Sequence, residues 1–169
     1  ILDLKYGSAK DKLDEAMKSL VESVYSKLNM VNQFVDSDAD ILAILNGAYE
    51  EVGFTGLGAN NEDALNEISQ WLELQNQKML KTSMGDVQRR YQAIPYGWKE
   101  IDIAYVVARL IVNQKVTIKY AGTTIQPDNA KLPDMLRKKS EVGKTSISKR
   151  VVVSATKMKA VRDLLRDYF

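Results

Sequence analysis

The chain has 169 residues, 45% hydrophobic and 27% charged, enough apolar material for a real core and too little charge for wholesale disorder. It contains no cysteine and no histidine, which excludes disulfides, thiolate chemistry, Ser-His-Asp and Cys-His catalysis, and zinc sites. The net charge of +2 conceals an asymmetry: residues 1–130 hold 13 Lys+Arg against 18 Asp+Glu, whereas residues 131–169 hold 11 against 4. An acidic body with a basic end implies either an anionic partner or docking of the two parts on each other.

No apolar run reaches the roughly 18–20 residues that cross a bilayer. Ile1-Leu2-Asp3-Leu4-Lys5 has neither an initiator methionine nor the basic-then-apolar order of a signal peptide, and the chain reads as a piece of a longer protein.

From Ser8 to about Val35, apolar residues recur at intervals of three and four (Leu13, Met17, Leu20, Val21, Val24, Leu28, Val31), predicting one long amphipathic helix. Ser8 with Asp11 resembles a capping box, Asp standing where glutamate is usual. A second helix starts in Asp36-Ser37-Asp38-Ala39-Asp40 and runs to about Glu51, its acidic first turn suiting the positive end of the helix dipole. Asp36, Asp38 and Asp40 lack the glycine and distant glutamate of a calcium loop, so capping accounts for them better. The two helices are expected to form an antiparallel hairpin, residues 1–58. Three glycines between Gly53 and Gly58 mark the boundary to a second region, residues 59–169.

Asn61 is expected to cap a helix whose inner face carries Ala64, Leu65, Ile68, Trp71 and Leu72. A short helix follows from about Ser83, using Val87 and Tyr91. Pro95-Tyr96-Gly97-Trp98 then makes a structural corner, with Gly97 permitting a turn that a Cβ would crowd. Tyr96 and Trp98 are expected to pack it against the next helix, residues 100–114. That helix is apolar in nearly every direction, with Asp102, Arg109 and Asn113 sharing a narrow polar strip, the pattern of a buried helix.

Val116, Ile118 and Tyr120 alternate with Thr117 and Lys119, and Ala121-Gly122 turns the chain into Thr123-Thr124-Ile125, predicting a β-hairpin. A short helix is read over residues 129–139, a strand through Ile147, Val151 and Val153, and a last helix capped by Ser154 and reaching Tyr168. The fold class is α+β, predominantly helical: a helical hairpin followed by a winged-helix-like module of helices and a β-hairpin. In winged helices an exposed helix reads the major groove. Here the helix before the hairpin has almost no exposed or basic face, which argues against sequence-specific reading by it.

No catalytic constellation emerges, and no residue is assigned a catalytic, cofactor or metal role. Gly143-Lys144-Thr145 matches the end of a phosphate-binding P-loop, but Lys138 stands where the motif needs glycine, and the motif needs a strand before it and a helix after. A turn from helix to strand is the better reading. Gly56-Leu57-Gly58 lacks the third glycine of a dinucleotide loop, Asn61 standing there.

The basic end carries the remaining candidate. Lys149, Arg150, Lys159, Arg162 and Arg166, with Arg137, Lys138, Lys139 and Lys144 nearby, make either a solvated face or a surface for phosphates. Lys159, Arg162 and Arg166 share one face of the expected last helix, opposite Val161, Leu164, Leu165 and Tyr168.

The corner Pro95–Trp98, the following Ile101-Asp102-Ile103-Ala104 helix, the Lys119-Tyr120-Ala121-Gly122 hairpin, Ser148–Val153 and the closing Leu164–Phe169 segment resemble the C-terminal part of a family of large P-loop proteins. These are the BrxC/PglY-type ATPases of BREX phage-defence systems. The resemblance implies a cytoplasmic bacterial ATPase within a multiprotein complex that acts on DNA. Its ATP site would lie in another part of the longer protein, since no Walker A motif occurs here. From the family only the corner with its following helix and hairpin carries over, as architecture; the expected role of this chain is a non-catalytic assembly platform whose partners are other subunits of the complex, with no membrane, and the alternative is a module that binds nucleic-acid phosphates independently of sequence.

Overall fold

The computed structural model describes residues 7–47 and 61–150. The expected boundary at 58/59 with its glycines, the strand positions Val151 and Val153, and the last helix with Lys159, Arg162 and Arg166 lie outside the described residues. In chain order the elements are α1 (Ala9–Val24), a short 3-10 turn (Leu28–Met30), α2 (Asp38–Leu45), α3 (Glu62–Gln77), β1 (Thr82–Ser83), α4 (Met84–Gln92), α5 (Glu100–Val112), β2 (Val116–Tyr120), β3 (Thr123–Ile125), α6 (Leu132–Arg137), α7 (Lys139–Val142) and β4 (Thr145–Lys149). The protein is α+β and mostly helical, as the sequence predicts.

The helix starts follow local chemistry. Ser8 and Asp11 close a reciprocal capping box on α1, and Ser83 and Asp86 do the same on α4. Ser37 donates both its backbone N–H (3.1 Å) and its hydroxyl (3.0 Å) to Asp40 at the start of α2. These Ser37 hydrogen bonds, side chain first, hold the Asp40 carboxyl below its ordinary value.

The expected long first helix is shorter than its periodicity suggests. It stops at Val24, and the chain beyond is held by tertiary bonds: Lys27 N–H donates to the Pro95 carbonyl (3.0 Å) and the Trp98 indole N–H to the Lys27 carbonyl (3.1 Å). Val31 and Val35 still enter the core, but from an irregular segment. The expected α1–α2 hairpin does not form. α1 buries no residue, leaving Leu13, Met17, Leu20 and Val21 exposed, whereas α2 packs on α5 and inserts Ile41, Ile44 and Leu45 into the core.

Asn61 occupies the position before α3 but does not cap it. It sits in the left-handed region (φ 59°), fully buried. Its side-chain oxygen accepts from the N–H groups of Asn32 (2.8 Å) and Gln33 (2.9 Å), and its amide donates to the Gln33 carbonyl (2.9 Å). An asparagine amide can serve both a carbonyl and N–H groups, so here it satisfies a buried loop.

The sheet is antiparallel throughout, in the order β1-β4-β2-β3. The β2–β3 hairpin forms as predicted, with positive φ at both Ala121 (48°) and Gly122 (87°), the requirement of a tight two-residue turn. β4 lies between β1 and β2. Residues paired directly across an antiparallel ladder share a face, so Thr82, Ile147, Ile118 and Ile125 form one row across all four strands. The first three of these are buried and Ile125 packs partly buried against the core. β1 and α7 are too short to leave a periodic signal, and the sequence reading has neither.

α5 is the centre of the molecule. Every residue from Asp102 to Ile111 is buried, as its apolar wheel predicts, with α2, α3, α4, α6 and β2 packed around it. Its polar strip is spent on internal ties. Asp102, 1% exposed, accepts from the Val35 N–H (3.1 Å), and Arg109 lies 3.7 Å from Glu62 on α3. The second Asp102 oxygen has no hydrogen-bond partner. Burial raises the Asp102 carboxyl above its ordinary value; the Val35 hydrogen bond and nearby Lys99 oppose that rise, and Asp36 adds to it.

A raised pKa in the folded state makes ionisation of Asp102 unfavourable to folding. Its contribution is fully favourable below the ordinary carboxylate value of 3.8 and is lost as pH rises through the folded-state value. Asp102→Asn keeps an acceptor for Val35 and cannot ionise. Urea denaturation from pH 3 to pH 8 should show the variant gaining stability relative to the native chain as pH rises; a pH-independent difference would contradict the assignment.

Candidate interaction site at the aromatic corner

α4 ends at Gln92, and the seven residues 93–99 carry the chain to α5. The Ala93 carbonyl accepts from the N–H groups of Tyr96 (2.9 Å) and Gly97 (3.1 Å), and the Tyr91 carbonyl accepts from Trp98 (2.9 Å). The Ile94–Pro95 peptide is cis. Gly97 has φ 65°, and a Cβ there would stand 2.5 Å from the Tyr25 ring. Backbone conformation and space both demand glycine.

Tyr96 and Trp98 are each 3% exposed. Their ring partners come from α3 and α4: Trp98 stacks on Tyr91 (4.8 Å, 7°), Tyr96 meets both rings edge-on (4.7 and 5.2 Å), and Trp71 meets Tyr91 edge-on (5.9 Å). Four aromatic rings in such geometry favour a rigid arrangement.

An ionic cluster covers these rings. Glu67 on α3 accepts a short hydrogen bond from the Tyr96 hydroxyl and one from Lys27 Nζ (3.2 Å), and lies 3.8 Å from Arg90. Arg90 also donates to the Tyr96 hydroxyl (3.3 Å) and sits over the Trp71 ring at 5.3 Å. Burial pushes the Glu67 carboxyl up, but the hydrogen bonds from Tyr96 and Lys27 and the charges of Lys27 and Arg90 outweigh it, leaving it below its ordinary value. Its hydrogen bond to Glu67 raises Lys27 in turn. Burial pushes the Tyr91 phenol well above its ordinary value, so it stays a neutral donor, to the Glu67 backbone carbonyl at 3.3 Å.

Beside this cluster a groove of about 780 Å³ opens between α3 and α4, walled by Trp71, Leu80, Ile94 and Pro95 and edged by Arg89 and Arg90. The corner residues Pro95, Tyr96, Gly97 and Trp98 are therefore assembled in one place. Sequence reasoning missed their partners Tyr25, Lys27, Glu67, Trp71 and Arg90. The only available signal was Glu67 standing four residues before Trp71 on a helix with an apolar inner face, and helical spacing does not say what faces it.

The basic candidates lie elsewhere. Lys149 ends β4 and donates to Ser69 on α3 (2.6 Å), 3.6 Å from Glu73, while Arg150 donates to Gln114 (3.0 Å). Arg137 pairs with Asp38 and with Glu100 (3.3 Å), Lys138 with Asp134 (2.7 Å) and Lys144 with Glu141 (3.4 Å). Lys139 is exposed. Gly143-Lys144-Thr145 is the turn from α7 into β4, as the sequence reading prefers. Among the described residues, no group of three or more acidic side chains is placed to hold a metal ion.

The order helix (α3), short strand (β1), two helices (α4, α5), then strands β2 and β4, with β4 paired to β1 on one side and β2 on the other, is that of a winged helix. The family model for the BREX ATP-binding protein BrxC winged helix-turn-helix domain matches residues 27–151. The chain belongs to this family. No solved structure matches it.

In BrxC winged-helix terms, α4 and α5 are the helix-turn-helix and the aromatic corner is its turn. The matched segment opens at Lys27, which ties to Glu67 and carries the carbonyl bound by Trp98. The connection from β2 to β4, residues 121–144, stands in the place of the wing and is enlarged by β3, α6 and α7. α6 folds back onto α5, burying Leu132 and Leu136, and Gln88 of α4 donates to the Leu136 carbonyl (2.8 Å). Among the described residues no helix is long and apolar enough to cross a membrane.

Proposed function

We propose that this BREX component is a non-catalytic winged-helix domain that serves as an assembly platform within the phage-defence complex. The observation that carries this reading is the burial of α5. In a DNA-reading winged helix the third helix presents side chains to base edges. Here that helix is enclosed by α2, α3, α4, α6 and β2, and its only charged members, apart from Glu100 at its start, are Asp102 and Arg109, turned to internal use. The fold keeps the architecture and gives up the reading surface, which supports protein contacts as its task. ATP would be bound by another part of the longer protein, and the complex would work in the cytoplasm.

The alternative, phosphate binding through Lys149, Arg150, Lys159, Arg162 and Arg166, has less support from the described residues, since Lys149 and Arg150 both have protein partners. Co-expression of the tagged chain with the BREX subunits of the same genome tests the platform. At least one subunit should co-purify and survive high salt. Failure of every subunit to co-purify, together with duplex-DNA anisotropy that rises at low salt and collapses steeply as salt increases, would replace the platform by the phosphate-binding reading.

A further inference from the structure

We infer that the groove between α3 and α4 docks an acidic, amphipathic segment of a partner protein. The inference rests on the platform reading and gives it a location.

Two exposed large apolar side chains, Leu80 and Ile94, line the groove. Outside α1, the others among the described residues are Phe34, Leu74 and Met79. Leu74 lies one turn from Trp71, and Met79 precedes Leu80. Met79 is 92% exposed with φ 56°, held out by hydrogen bonds from its own N–H to Asn76 (3.0 Å) and from Leu80 N–H to Gln75 (3.0 Å). An apolar patch of this kind with polar edges marks an interaction surface.

The charge of the edge selects the occupant. Lys81, Arg89 and Arg90 line the groove around its apolar floor, Lys78 stands three residues before Lys81 in the chain, and the ion pairs among the described residues leave Lys78 and Lys81 without a carboxylate. Asp86, the acid on this edge, already accepts from Ser83 and Arg89. Arg89 is engaged through one nitrogen, with its side chain 79% exposed. A segment with an apolar anchor and flanking carboxylates satisfies floor and edge together. Nucleic acid would meet the cations but leave Leu80 and Ile94 facing phosphates, and the Arg90 guanidinium already occupies a face of Trp71. The chain's own residues 151–169 carry four Lys+Arg and two Asp+Glu, the same sign as the edge. Because the ring stack and Glu67 cluster already hold the wall, docking needs little ordering of the groove.

Selection of a random-sequence displayed peptide library on the full chain tests this. The expected winners combine Asp or Glu with Leu, Phe, Trp or Met, and bind about tenfold or more weakly to Arg89→Glu and to Leu80→Ser. Both positions are exposed, and circular dichroism should show both variants folded. Enrichment of basic or neutral peptides, no enrichment, or indifference to both substitutions would overturn the inference. Competition by duplex DNA would reassign the groove to nucleic acid, and a large gain in affinity on deleting residues 151–169 would reassign it to the chain's own tail. Undiminished recruitment of a BREX subunit by the doubly substituted chain would remove the groove and leave the platform standing. Acidic winners with no subunit recruited by the native chain would do the reverse.

Discussion

Trp98→Ala should lower the stability of the domain by about 3–5 kcal/mol, the usual cost of truncating a large buried aromatic. For a chain of this size that is a drop in melting temperature on the order of 10 °C. Three losses coincide at this position. The indole leaves a void beneath Tyr91, against which it stacks at 4.8 Å. Tyr96 loses its edge-on partner at 5.2 Å. The Lys27 carbonyl loses the indole N–H at 3.1 Å, which anchors the start of the family-matched segment to the corner. Trp98→Phe separates these effects: it keeps most of the stack and removes only the hydrogen bond and part of the volume, so it should cost nearer 1 kcal/mol. Calorimetry on both variants checks the argument. A Trp98→Ala variant melting at the native temperature would show that the corner is peripheral.

How far the fold was legible in the sequence depends on how local each cause is. The Ser8 capping box, the start of a helix near Ser83, the hairpin turn at Ala121-Gly122 and the burial of α5 are set by residues within one or two turns of each other, and the sequence predicts each of them. The errors share a different origin. The period of α1 continues through Leu28 and Val31, but Pro95 and Trp98 bind the backbone at Lys27, and tertiary bonds override the pattern. Asn61 looks like a helix cap, yet its amide serves Asn32 and Gln33 about thirty positions earlier. β4 is central only because β1, a two-residue strand, pairs on its far side.

The site followed the same rule. Pro95–Trp98 stood out because a glycine between two aromatics after a proline is locally unusual, and the structure places it at the helix-turn-helix turn. Its chemistry comes from Lys27, Glu67 and Arg90 on other elements, and ordinary surface-type charges give no sign of a shared cluster until the fold brings them within 4 Å. The Lys149 and Arg150 candidates show the converse: a charge run is visible in sequence, but the partners Ser69, Glu73 and Gln114 that engage it are not.

Leu136→Ala separates a winged helix whose reading helix is permanently internal from one that is merely lidded. Leu136 is fully buried on α6, and its backbone carbonyl is bound by Gln88 of α4. If α6 is part of the core, truncation should cost about 2–5 kcal/mol, with the spread set by how far the site can collapse. Unfolding should remain a single transition, because α6, α5 and α4 lose their packing together. A detachable α6 predicts otherwise: the substitution would open α6 alone, leave the main transition nearly in place, and increase hydrogen exchange over residues 132–137 while sparing α5. Duplex-DNA binding by the variant completes the comparison. The one Lys or Arg on α5, Arg109, lies against Glu62 of α3, and the rest of the helix between Ile103 and Val112 is apolar or tyrosine, so uncovering α5 adds no free cation for phosphates or bases and affinity should not rise. A variant that melts like the native chain and gains sequence-specific DNA binding would overturn the assignment of α5 to the core and, with it, the reason for reading this winged helix as a platform for proteins.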